Sequence, residues 1–347
     1  MQEVTFTLQT ITPMFLAGAD QSKAELRAPT FRGLMRYWQR ALIGGMVGTG
    51  IEELKQVAEQ EKAVFGATDT GSTIRVRLSE PSKEPMEFKE AISKWEGGKQ
   101  RATGKGYLLW SMRLKKPPRH FFPAGTEFQL LLSTKGTDTT NLKRSIATLW
   151  LLTQLGGIGS RSRRCAGSLA IQAVKGDIVN LPSNFHLDVE ERIILPADVG
   201  ELKRQLEQGI KTARALYNIN RQPVKEARFD VLAPDVCRIW ILQNERPWYN
   251  HEEAMHAIGE SLQDYRSTIP IQKRKVFGIP LKDTRSSVER RASPLLLRVT
   301  RLQGDKYIGV AVLFKTLDAS REVPVADYNL IERLISTHFP KALEVTL

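Results

Sequence analysis

Cysteine is almost missing from this 347-residue chain: Cys165 and Cys237 are its two, far apart in the sequence. Two distant cysteines make neither a disulfide framework nor a zinc-ligand spacing, so both are expected to be small buried apolar residues. Long apolar runs are missing as well. IGVAVLF (308–314) falls well short of the roughly 20 residues that span a bilayer. The start, MQEVTFTLQT, has no basic stretch followed by an apolar one, so no secretory signal is expected and a reducing cytoplasm is the expected compartment. Histidine is scarce. His120, His186, His251, His256 and His338 show no metal-ligand pattern, and residues 1–119 contain none. Neither a metal nor a cofactor is therefore expected. Acidic residues are outnumbered, 38 against 51 Lys and Arg, which leaves a net charge of +13. A balance this basic favours a polyanionic partner where the cations cluster.

The hydrophobic share, 41%, is ordinary and sufficient for cores in about two domains. Residues 4–8 alternate Val4, Phe6 and Leu8 with Thr5 and Thr7, which predicts a half-buried strand. A loop follows, then a helix over 30–43 with Pro29 at its start. Phe31, Leu34, Met35, Trp38 and Leu42 make that helix's buried face. A second helix fits 51–65, a strand 72–78, and a mobile excursion rich in Lys, Glu and Gly 81–106. Strands are expected at 107–114 and 126–132. Leu142, Ile146, Leu149, Trp150 and Thr153 then form a helix stripe, and a strand follows at 168–174.

Setting the extra helix aside, this order is strand, helix, two strands, helix, strand. It predicts a ferredoxin-like α+β domain over residues 1–180. Residues 176–197 suggest a linker. The second half reads as a degenerate copy over 198–347, with helices at 198–217, 250–266 and 325–338 and strands at 236–242, 294–302 and 306–316. The expected fold is thus two tandem ferredoxin-like domains with insertions.

The cations cluster. Arg32, Arg36 and Arg40 recur every four residues on the first helix, with Lys23 and Arg27 just before it and no Asp or Glu anywhere in 26–51. Such a ridge repels itself unless an anion neutralises it. The stretch LGGIGSRSRRCAG (155–167) sits between a helix and a strand. Gly156, Gly157 and Gly159 allow conformations that side chains forbid, and their N–H groups could face phosphates. Arg161, Arg163 and Arg164, with Ser162 among them, could add charge-assisted bonds. The plain alternative is a helix-capping glycine and a solvated turn. The loop follows a helix and lacks a Gly-Lys-Ser/Thr ending, so it is neither a nucleotide P-loop nor a dinucleotide fingerprint. Further clusters are QKRKVFG (272–278) and SSVERRASPLLLRVTR (286–301). Asp20, in a loop after the first strand, could position a hydroxyl but more often such a residue turns the chain. No nucleophile, base and orienting group converge.

The loop GGIGSRSRRCAGSL resembles the signature loop of the RAMP superfamily, the repeat-associated RNA-binding proteins of CRISPR systems. TPMFLAGADQSKAELRAPTFRGLMRYWQRAL and RRASPLLLRV resemble one branch of it, the first subunit of the type III-B (Cmr) RNA-targeting effector. The resemblance implies two RRM-like domains and a non-catalytic ribonucleoprotein subunit that grips the 3′ region of guide RNA, the target RNA, or both, beside other Cmr subunits of the superfamily. It implies RNA contacts at Lys23, Arg27, Arg32, Arg36, Gly156, Gly157, Gly159, Arg161, Ser162, Arg163 and Arg164. Arg290, Arg291 and Ser293 are further candidates in the second domain. The chain departs from the family at Cys165 and Ala166, where a glycine or an aromatic is expected. Strand aromatics for base stacking are not evident, so contacts are expected chiefly to phosphate and sugar. The alternative with the same fold is a metal-independent endoribonuclease of the guide-processing type, which would need His120 or His186; a second enzymatic variant would use Asp20, as backbone subunits of such effectors use a loop Asp. An assembly scaffold without RNA contacts would leave the loop arginines unexplained.

Overall fold

The computed structural model describes residues 2–90, 92–96, 99–113, 118–135, 138–176, 183–187, 193, 195–279, 291–317 and 323–347. In the first half, β1 (Gln2–Thr10) leads to α1 (Ala28–Val47), α2 (Ile51–Phe65) and β2 (Ile74–Leu78). An insertion follows: β3 (Met86–Glu87), the hairpin β4 (Ser93–Glu96) and β5 (Lys99–Ala102), α3 (Gly104–Arg113), and β6 (His120–Phe121). β7 (Glu127–Thr134), α4 (Thr140–Leu155) and β8 (Leu169–Gly176) complete the half. Its sheet is antiparallel in the order β2-β7-β1-β8.

The second half contains α5 (Val199–Ala215), β9 (Cys237–Leu242), α6 (His251–Thr268), β10 (Leu295–Leu302), β11 (Lys306–Phe314), α7 (Asn329–His338) and β12 (Leu343–Val345). The order β10-β11-β9-β12, again antiparallel, repeats that of the first sheet once the strands are numbered within each half. The architecture is mixed α+β with two antiparallel four-stranded sheets. The last strand, β12, has three residues and too little pattern to be visible in sequence.

Local patterning explains most elements. On β1 the alternation holds, with Val4, Phe6 and Leu8 buried and Thr5 and Thr7 partly exposed. The first helix runs four residues past its predicted end, because Gly44 and Gly45 are buried in packing rather than acting as stops. Two expectations in the insertion fail. Residues 107–114 were expected to be a strand, yet α3 is a helix in which Leu108, Leu109 and Met112 are buried at helical spacing. Short apolar runs are ambiguous between the two periods. The described part of 81–106 is not a free excursion either. Its α3 docks on α6, where Gly104 and Gly259 bring the two backbones so close that a Cβ on either would enter the other's carbonyl layer, and its hairpin reaches α6 through the ion pairs Lys94–Glu260 and Arg101–Asp264.

The core is continuous across both halves, with Trp38 of α1 meeting Phe314 of β11 at 6.3 Å between ring centroids. The described part of 176–197 is pinned by Phe185, whose ring lies 5.4 Å from Trp150 of α4. The halves are joined at β10, an edge strand. The glycine-rich loop pairs with it, Cys165 N–H donating to the Leu297 carbonyl (2.8 Å). From β10, Arg298 is fully buried. It donates to the carbonyls of Thr153, in the last turn of α4, and Leu169 (2.9 Å). Burial pushes its guanidinium pKa down to about 9, still high enough to keep it charged near neutrality. No helix among the described residues is long and apolar enough to cross a membrane.

Candidate nucleic-acid interface

The arginine ridge of α1 has its neutralising anion inside the chain. Glu61 reaches over from α2, its side chain only 8% exposed. It accepts from Arg36 Nε (2.6 Å) and Arg40 (2.9 Å). Arg32 donates to the Phe65 carbonyl. The inference that the ridge requires an external polyanion is therefore corrected for Arg36 and Arg40. A carboxylate 21 residues beyond Arg40 does that work, and no reading confined to 26–51 could reveal it.

The glycine loop is packed rather than open. Gly156 and Gly157 are buried. Gly159 has φ +88°, and a Cβ there would collide with the Phe15 carbonyl, beside which Ser160 N–H donates to the same oxygen (2.8 Å). The three loop arginines turn inward. Arg161, at φ +65°, donates to the Leu108 carbonyl of α3 (2.5 Å). Arg163 pairs with Asp230 (3.0 Å) and donates to the Ser293 carbonyl (2.6 Å). Arg164 is buried and bonds the carbonyls of Leu295 and Phe277 (both 3.0 Å), which leaves its side chain turned away from any solvent-borne phosphate. Burial first, then repulsion from Arg161, pushes its pKa down to about 9. The loop thus staples α3, β10 and the second half together. Ser162 and Arg161 keep part of their surface. Cys165 is buried at φ +65°, a conformation that favours glycine, and burial pushes its thiol up to about 12.

The segment before α1 remains at the surface. Lys23 is 82% exposed, 3.9 Å from Asp20. Asp20 is turned into its own loop, accepting from Ser22 N–H (3.0 Å) and Oγ (2.6 Å), and these bonds hold its carboxyl below the usual range. His120 Nδ1 lies 2.5 Å from the Ser22 carbonyl, and Arg119 donates to Gln21 (3.1 Å to the carbonyl), so β6 braces this loop. Arg27, 3.8 Å from Glu25, is the residue before α1. In the second half, Arg291 donates to the Tyr328 hydroxyl, and Ser293 Oγ donates to the Leu295 carbonyl (3.0 Å). Arg290 lies outside the described residues.

Two residues not singled out from sequence complete a surface. Arg75 and Arg77 lie exposed on β2, an edge strand. With Arg32, Ala28 and Pro29 they line an open groove of about 370 Å³ between the first turn of α1 and β2. No carboxylate lines it, α1 has no acid in its first turn, and Arg75 and Arg77 form no ion pair among the described residues. The helix N-terminus adds partial positive charge there. The signal was present in IRVRL, whose polar face is wholly arginine. Among the described residues no group of three or more His, Cys, Asp or Glu could hold a metal ion.

Comparison with known proteins follows this geometry. The model of the RAMP superfamily matches residues 7–170, which run from the second half of β1 through α1 to the glycine loop and the start of β8. A Cmr subunit of Pyrococcus furiosus, Cmr1-2, is 34% identical over 195 residues, covering 98% of that protein and half of this chain. The chain belongs to the Cmr1 family of the RAMP superfamily. A second Cmr1 family member from the same organism, Cmr1-1, is 26% identical over 96% of both chains. The Cmr1 fold is recovered in the crystal structure of P. furiosus Cmr1, with a TM-score of 0.69 at 23% identity over 99% of both chains. A chain of a type III-B Cmr-beta complex bound to cognate target RNA gives 0.60 at 13% identity, over 96% of this chain and 99% of that one.

Proposed function

We propose that this chain is a non-catalytic RNA-binding subunit of a type III-B CRISPR effector, built as two tandem ferredoxin-like domains over 1–180 and 198–347. Its partners are guide RNA, target RNA and neighbouring Cmr subunits of the superfamily. The observation that carries the reading is the acid-free groove of Arg32, Arg75 and Arg77; Arg27 and Lys23, which precede α1, are secondary contacts because Glu25 and Asp20 stand beside them. Cations without local counter-charges attract phosphates and release condensed counterions on binding. The relatives named as Cmr subunits support the assembly, and the repeated strand order supports the tandem domains. In this reading Arg163, Arg164 and the buried Gly156 and Gly157 shape the surface from within, while the partly exposed Gly159, Arg161 and Ser162 border the RNA. Arg36 contributes less than Arg32, because Glu61 neutralises it.

The test follows labelled single-stranded RNA with the purified chain, with and without Mg²⁺, across a salt series. Intact RNA bound with a steep salt dependence is expected, and R75Q/R77Q should lower the slope by up to about 1.4, at 0.7 per phosphate contact. Absence of binding would sink the proposal. Cleavage abolished by Asp20→Ala or His120→Gln would move the chain to the endoribonuclease class instead.

A further inference from the structure

At the other end of α1 lies a second basic groove, about 790 Å³, between Met46, the last turns of α5, the segment 218–221 and the final residues Thr346 and Leu347. From Arg32 to Met46 the helix rises about 20 Å at 1.5 Å per residue, so the two grooves are separate places. Lys211, Arg214 and Arg221 line this one, and Lys225 and Arg228 follow on the same segment, all but Arg214 exposed. Between 211 and 228 the chain has these five cations and one acid, Glu226.

The contrast with the ridge of α1 decides how these cations are read. There, a buried carboxylate from α2 satisfies two arginines. Here, none of Lys211, Arg214, Arg221, Lys225 and Arg228 forms an ion pair among the described residues. The one side-chain carboxylate in the lining, Glu207, is already engaged: it accepts from Thr346 N–H (2.9 Å) and lies 3.7 Å from Lys203. Arg214 spends one amino group on the Leu232 carbonyl (2.8 Å), while its Nε is buried without a partner. Burial, then repulsion from Arg221, pushes its pKa down to about 10. Arg214 and Arg221 repel one another in a groove where Lys211 adds a third cation, and an external anion relieves that repulsion.

We infer that this groove is a second binding site for single-stranded RNA, gripping its phosphates through Lys211, Arg214 and Arg221. The inference rests on the RNA-binding reading above and extends it to the opposite end of α1. RNA fits better than an acidic peptide. An extended peptide gains most of its affinity by pairing with a free strand edge, and here α5 packs beside β12, the edge strand at this end. The exposed carboxamides of Asn218 and Asn220 offer both donors and acceptors, which suits ribose and base edges. Asn218 sits at φ +49°, a turn conformation that asparagine tolerates, which carries the chain round the groove.

The test uses the full chain, 5′-labelled oligouridylate and anisotropy across a salt series. In K211Q/R221Q/K225Q all three residues are exposed, so thermal unfolding should match wild type. The salt slope should fall by up to about 1.4, at 0.7 for each of Lys211 and Arg221, the two proposed contacts that the variant removes. R75Q/R77Q and the triple variant combined should lose the sum of their separate slopes. A triple variant with wild-type slope, beside a wild type that binds, overturns the second site and leaves the first standing. A wild type that binds no RNA overturns both. A triple variant that keeps its RNA slope but loses affinity for poly-glutamate assigns the groove to an acidic protein partner and equally overturns the inference.

Discussion

Arg163 of the glycine loop and Asp230 of the second half form an ion pair at 3.0 Å between groups 67 residues apart. Asp230 also accepts from the Tyr37 hydroxyl of α1 (2.7 Å) and from Thr316 Oγ1 (2.8 Å). One carboxylate therefore ties the first helix, the loop and the end of β11 together. Arg163 further lies over the Tyr37 ring, at 5.8 Å. Asp230→Asn should lower stability by about 1–3 kcal/mol, the usual cost of a partly buried group left unsatisfied. A double-mutant cycle with Arg163→Gln should show coupling, because each change strands the other's partner. Additive losses in chemical denaturation would mean that the pair is incidental.

Glu61 tests how charge on α1 is managed. Glu61→Gln leaves Arg36 and Arg40 without their counter-charge. It should destabilise the chain by about 1–3 kcal/mol and steepen the salt dependence of RNA binding by up to about 1.4. An unchanged slope would place both arginines away from the RNA.

Gly104 tests the docking of α3. A Cβ at this position would meet the His256 carbonyl oxygen and the Glu260 N–H of α6. Gly104→Ala should therefore cost about 1–3 kcal/mol by overpacking and speed limited proteolysis within 86–113. Gly71→Ala, where a Cβ has open space, is the control and should change neither.

Acid should loosen the same contact. His251, at the start of α6, is held below its ordinary 6.5, chiefly by burial, so the unfolded chain takes up its proton more readily than the folded one. The stability this supplies is complete above pH 6.5 and is lost as pH falls through the lower folded value. Glu252, which accepts from Lys105 of α3 (2.7 Å), is held below 4.5 and adds a second loss at more acidic pH. Protection factors of the α3 amides, taken against intrinsic exchange at each pH, should fall between pH 7 and 5, and His251→Gln should remove that step. Equal protection across the range would separate the titration from the docking.

Periodicity alone marked β1, α1 and α4, because alternation and 3–4 spacing are local properties that survive without knowledge of the partner; the repeated strand order of the two sheets emerged only from tertiary pairing. The glycine loop and the row on α1 were legible as unusual for the same reason. Their roles were not. Arg163 and Arg164 became interior staples because β10 and Asp230, distant in sequence, meet them in space. Arg36 and Arg40 lost their demand for an external anion to Glu61 on the next helix. Arg75 and Arg77 joined the candidate groove only when β2 took the sheet edge beside α1. Charge and pattern are written residue by residue, whereas exposure and counter-charge depend on what the fold lays against each side chain.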